Sequence, residues 1–159
     1  LGSGASTASF LVNNVLNTNG ETNYDKALST NHPTSPSSIV NMLFFDSTKV
    51  GLHSQDYLDK ELDGSTRIVR VIDFYRMYFK DPKLSQGADT VFFTVVLAHL
   101  KASSGSADKA ERGEAAKAIM KHLTDNVQDE NVILCGDLNL YSNSEQASFS
   151  AVYQLSSGE

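Results

Sequence analysis

The chain has 159 residues, 40% of them hydrophobic, enough for one globular domain that buries most of the surface its unfolded form exposes. Its 13 Lys and Arg stand against 19 Asp and Glu, a formal net charge of -6 with no basic cluster to offset it, which argues against tight non-specific binding to nucleic acid. Cys135 is the only cysteine, so a disulfide framework and a multi-thiolate zinc site are excluded, and no run reaches the roughly 18 apolar residues of a membrane span.

The chain opens Leu1-Gly2-Ser3-Gly4, without a methionine or the charged-then-apolar order of a signal peptide, and reads as a stretch of something longer. From Ser6 to Asn19, Phe10, Leu11, Val15 and Leu16 recur at helical spacing; Ser6 or Thr7 can cap the start and Gly20 can end it. Residues 21 to 38, with Pro33, Pro36 and many Ser, Thr and Asn, read as a surface loop. "VNMLFFD", 40 to 46, reads as a strand, and "STK" before "VGLHSQDYL" suggests a hairpin to a second.

After the polar turn "DKELDGST" comes "RIVRVIDFYRMYFK", 67 to 80, whose two parities both mix apolar and polar groups with a β-branched and aromatic bias; it predicts a long strand covered on both sides. "TVFFTVVLAHL", 90 to 100, predicts a buried central strand with His99 at its end. A helix from about 108 to 124 follows, with Asp108 and Glu111 spaced as a capping box and Ala115, Ala118, Ile119, His122 and Leu123 on one stripe. "NVILCG" predicts another buried strand, with Cys135 as a small interior hydrophobe, and 144 to 155 restart a helical pattern. Strand, helix, strand in this order indicates an α/β layered fold.

A right-handed crossover makes the two apolar strands parallel and brings His99 and Asp137-Leu138-Asn139 to one sheet edge, where open α/β sheets bind ligands. Asp137 and Asn139 then share a side: a carboxylate that can hold a hard cation or orient water, and an amide that can donate to a phosphoryl oxygen. Lys101, two residues past His99, adds a cation where phosphate charge would sit. Each residue also has a plainer reading: Asp and Asn after a strand form Asx turns, a strand-end His is often a hydrogen-bonded structural group, and a loop Lys is often only solvated.

Together, "AHLKA" (98 to 102), the helix bearing Glu111-Arg112 and "ILCGDLN" (133 to 139) resemble the endonuclease/exonuclease/phosphatase superfamily, the deoxyribonuclease I-like fold. There a His-Leu-Lys-type strand end is followed by an Arg-bearing helix and a strand ending Gly-Asp-Phe-Asn; here the third position is Leu138. The wording of "HLKA" is similar to the deadenylase and phosphodiesterase branch, and "NMLFFDSTKVGLHSQ" looks like a strand pair of secreted bacterial members; the similarity spans roughly residues 39 to 155.

The resemblance implies an α+β sandwich, part of a four-layer fold with mixed sheets flanked by helices, residues 1 to 159 forming the central portion of a larger domain. It implies a Mg²⁺-dependent (or Mn²⁺- or Ca²⁺-dependent) phosphoesterase, with Asp137 orienting or deprotonating the attacking water and binding metal, Asn139 bonding the scissile phosphate, His99 stabilising its developing charge and Lys101 assisting. The substrate class would be a phosphate ester, whether nucleic acid, lipid or small molecule, and the setting extracellular or cell envelope; no protein partner is inferred. The family's opening Asn and metal-binding Glu match nothing before residue 39, and its closing Asp-His pair is not found by Glu159. His32, His53 and His122 read as loop, strand-surface and helix residues. The expectation is therefore an incomplete site with little hydrolase activity in this polypeptide alone, and the rival reading is a non-catalytic binding or scaffold domain that keeps the fold. A calcineurin-like metallophosphatase, which also uses a strand-end Gly-Asp, would need Asp-x-His and Gly-Asn-His-Asp/Glu strings that do not occur.

Overall fold

The computed structural model of the chain describes residues 4–128, 131–142 and 145. In chain order the elements are helix α1 (Ala5–Leu11) running into a π-helical turn (Val12–Leu16), β1 (Tyr24–Lys26), β2 (Phe44–Asp46), β3 (Val50–Lys60), β4 (Arg67–Phe79), a 3₁₀ turn (Pro82–Gln86), β5 (Phe92–His99), α2 (Ser106–Asn126) and β6 (Val132–Asp137). None of the described helices is long and apolar enough to cross a membrane.

The main sheet has the order β3-β4-β5-β6, antiparallel except for the parallel pair β5 and β6, and β1 and β2 form a separate two-stranded sheet. The long strand expected at 67 to 80 is β4, buried along both parities as its mixed pattern required. On one face Ile68, Ile72, Phe74, Val96, Ala98 and Leu100 pack against Ala115, Ala116, Ala118, Ile119 and Leu123 of α2. On the other, Tyr75, Met77 and Val95 pack with Ala27 and the partly buried Leu43, Phe45 and Leu97. The helical stripe read from the sequence is thus the face that α2 buries.

Four expectations are corrected. The first helix ends at Leu16, not at Asn19, because the side chain of Asn17 pairs with the backbone of Tyr24: its Oδ1 accepts from Tyr24 N–H and its Nδ2 donates to Tyr24 C=O, both at 2.9 Å. Neither Ser6 nor Thr7 caps it; Gly4 occupies the N-cap without a side-chain bond. The "loop" from 21 to 38 holds β1, three residues long and too short for a period to show. The turn at 46 to 49 is real, closed by Lys49 N–H on Asp46 C=O at 3.1 Å, yet β2 pairs with β1 and β3 with β4, so the turn carries the chain between sheets instead of closing a hairpin. Turn chemistry fixes a reversal; it does not choose the partner.

α2 begins at Ser106 with Gly105 at its N-cap and no side-chain cap, so Asp108 and Glu111 form no capping box. Their carboxylates face Lys101 Nζ at 3.5 and 4.0 Å instead. β6 is the edge strand of the main sheet among the described residues, with Ile133 52% exposed and Cys135 exposed, so neither the buried strand nor the interior cysteine is found. The helical pattern at 144 to 155 lies outside the described residues, Glu145 excepted.

Candidate active site

The parallel register of β5 and β6 places His99 directly opposite Asp137 at the C-terminal edge of both strands. Gly136 makes that register possible. Its φ is +126°, and a Cβ there would stand 2.0 Å from Ala98 C=O on the neighbouring strand, so glycine is the only residue that fits without a shift of backbone. The expected meeting of the imidazole and the carboxylate therefore follows from strand pairing and one obligatory glycine.

His99 Nε2 lies 3.8 Å from Asp137 Oδ2; the imidazole is about three-quarters covered and the carboxylate 64% exposed. Burial, then the cation of Arg70, pushes the His99 pKa below its ordinary value, and Asp137 pulls the other way without prevailing. The shift favours the neutral ring, which offers one N–H donor and one acceptor nitrogen.

Asp137 and Asn139 form the Asx turn that their plainer reading expects. Asn139 N–H donates to Asp137 Oδ1 at 3.0 Å, which is an Asx turn, and Asn139 adopts φ +51°, a left-handed conformation that Asn tolerates. The turn leaves Asp137 Oδ2 towards His99 and sets the Asn139 amide against the Leu100 carbonyl at 3.0 Å. An amide carries two N–H donors, and among the described residues the Leu100 carbonyl is the acceptor they meet. Lys101 Nζ lies 3.5 Å from Asp108 and 4.0 Å from Glu111 on α2.

Sequence reading named Arg112 only as part of the resembling helix and gave no role to it or to Asp73. Arg112 of α2 is fully buried and donates to Lys101 C=O (2.7 Å), Ser103 C=O (2.8 Å) and, from Nε, the Glu145 carboxylate (2.7 Å), with Nη2 in ion-pair contact with the same oxygen at 2.6 Å. Glu145 in turn accepts from Tyr141 N–H at 3.1 Å, so one guanidinium ties the segment after His99 to the segment after Asn139. Asp73, in the middle of β4, is also wholly buried; Thr30 donates to one oxygen and Asn41 to the other at 3.1 Å, and burial raises its pKa to about 6. Asp73 stands out in the sequence as the acid on an otherwise apolar and aromatic parity, the one signal that could have marked it.

Among the described residues no group of three or more His, Cys, Asp or Glu could hold a metal. Mg²⁺ is usually bound through one or two carboxylates together with waters and substrate phosphates, and Asp137, 3.8 Å from His99, is one carboxylate of the kind it takes.

No family model matches the chain, and no curated protein matches it. Its structure does match solved ones. D. rerio TDP2, complexed with single-strand DNA product, aligns over 99% of this chain and 52% of its own at a TM-score of 0.58 and 14% identity. The human Nocturnin catalytic domain, with a bound sulfate anion, aligns over 80% and 47% at 0.53 and 14%. ANGEL2, a 2',3'-cyclic phosphatase in complex with adenosine-2',3'-vanadate, aligns over 90% and 40% at 0.54 and 16%. The chain spans about half the length of these structures. Its mixed sheets and helices have a deoxyribonuclease I-like fold, shared with these structures at 14–16% identity.

Proposed function

We propose that the chain forms one wall of a phosphoesterase site, in which water attacks phosphorus beside His99, Asp137 and Asn139. The observation that carries the reading is the opposition of His99 and Asp137 across the parallel pair, with the Asn139 amide one turn on. The similar structures support it from outside: the proteins they describe hold a DNA product, a sulfate and an adenosine vanadate, all tetrahedral or related oxyanion chemistry.

In this reading Asp137 orients the attacking water through its exposed carboxylate, His99 gives a ring N–H to a phosphoryl oxygen, and an Asn139 amide N–H holds the scissile phosphate. Lys101, held by α2, contributes at most at the rim. The chain is the central part of a larger domain, a reading its span of about half of the similar structures supports. The substrate is a phosphate ester, and the setting is extracellular or the cell envelope.

Two measurements test this. Inorganic phosphate titrated into the labelled chain is expected to move the His99 ring and Asn139 side-chain NMR signals; a titration that leaves both in place refutes the site. Hydrolysis of bis(p-nitrophenyl) phosphate by the 159-residue chain in MgCl₂ is expected to stay near background. Robust Mg²⁺-dependent cleavage that disappears in Asp137→Ala would overturn the incompleteness of the site. The alternative, a non-catalytic scaffold domain, predicts no phosphate response at all.

A further inference from the structure

The antiparallel ladder between β4 and β5 stops at the pair Asp73 and Leu97, two residues short of His99, whereas β5 stays paired with β6 through His99 and Asp137. Beyond Leu97 the carbonyls of β5 on the β4 side need other donors, because buried carbonyls are almost always bonded. Two side chains supply them. Asn41 Nδ2 donates to Leu97 C=O at 3.0 Å while also reaching Val71 C=O at 3.0 Å and Asp73 Oδ2 at 3.1 Å. Arg70 Nη1 donates to Leu100 C=O at 3.0 Å and lies 3.5 Å from His99 C=O.

These donors come from opposite faces of the sheet. Arg70 shares its parity with Ile68 and Ile72 on the α2 face, and Asn41 meets Asp73, on the parity of Tyr75 and Met77. They close on a strand end whose far side is held by Leu100 N–H on Asp137 C=O at 3.0 Å. Leu100 C=O is the junction, since it accepts from both Arg70 and Asn139.

We propose that Asn41 and Arg70 are positioning residues: a side-chain clamp that replaces the missing ladder and sets where His99 and Asn139 stand. Its consequence for chemistry rests on the phosphoesterase reading; its geometry does not. A backbone ladder would draw the end of β5 flat against β4. The clamp instead lets the strands part at the site edge while fixing the three carbonyls around His99, so the imidazole gains room for a ligand without losing its orientation. Arg70 adds a cation beside the ring, and one guanidinium bridging two carbonyls is a geometry an ammonium reproduces only in part.

The test uses the ligand-free 159-residue chain, isotope-labelled, with Arg70→Met, Arg70→Lys and Asn41→Ala. In Arg70→Met, hydrogen-exchange protection of the Leu100 amide is expected to fall on the order of tenfold, about the loss of one charge-assisted hydrogen bond. The His99 ring and Asn139 side-chain signals should move with it, while Ile119 and Val96 in the α2-facing core keep theirs. Arg70→Lys should recover part of the protection. Asn41→Ala acts on the same strand end from the other face and decides the matter should Arg70→Met not fold. Signals of His99, Asn139 and Leu100 that stay at their wild-type positions in Asn41→Ala and in Arg70→Met overturn the clamp. Failure of the phosphoesterase reading shows separately, as a wild-type chain whose His99 and Asn139 ignore inorganic phosphate, and it removes the functional half of the proposal.

Discussion

At the scale of single residues, the chain spends its exceptions close to the site. Gly136 takes a positive φ with a carbonyl where its Cβ would be, so Gly136→Ala should destabilise the chain by more than about 2 kcal/mol in urea titration, and a near-neutral result would contradict the tight strand approach. Asp73 makes the opposite kind of exception. Burial lifts its pKa from 3.8 to about 6, against the pull of Thr30 and Asn41, so the folded state prefers the protonated acid more than the unfolded chain does. Between pH 4 and pH 6 the folded state therefore binds the extra proton, and stability from this group falls as pH rises through that window, the loss being complete above about pH 6. Asp73→Asn should match the wild type in thermal melting near pH 4 and exceed it at pH 7.5, by on the order of 2 to 3 kcal/mol. A variant that is weaker at both pH values would mean that the carboxylate is held charged by its two donors.

At the scale of elements, α2 anchors the site from behind through Arg112, whose partners lie in the segments after His99 and Asn139. Arg112→Met keeps an apolar stem but leaves Glu145 buried without its cation and two carbonyls without donors. The expected loss is at least about 3 kcal/mol in chemical denaturation, and a loss under 1 kcal/mol would show that the pair contributes little. The elements themselves were readable to different degrees. β4, β5 and α2 stood out because long apolar patterns declare their period and their buried face. β1 has no such pattern in three residues, and the early end of the first helix turns on Asn17 meeting Tyr24 seven residues away. Asp108 and Glu111 had the spacing of a capping box, but Lys101 offered those carboxylates a cation, and that competing contact is invisible to spacing.

At the scale of the whole molecule, β6 presents an uncovered edge among the described residues. Cys135 there should react with iodoacetamide in the native state, more slowly than a free thiol at neutral pH because partial burial raises its pKa, and faster at pH 9.5. A thiol that resists labelling until the chain is denatured would show that something covers this strand. Clusters of Ile133, Cys135 and Val132 on an edge strand are apolar because the sequence wrote them for burial, yet nothing in a run of residues says which neighbour supplies the cover. The sequence by itself determined the layered α/β class, the main strands, the parallel crossover and the convergence of His99 with Asp137, since hydrophobic period and the handedness of crossovers are local or near-local physics. Only the tertiary structure decided which strand pairs with which, that Asn139 serves both an Asx turn and the Leu100 carbonyl, and which distant groups Asn41, Arg70, Asp73 and Arg112 bond, because those contacts join residues up to 56 positions apart through side chains whose partners no local pattern encodes.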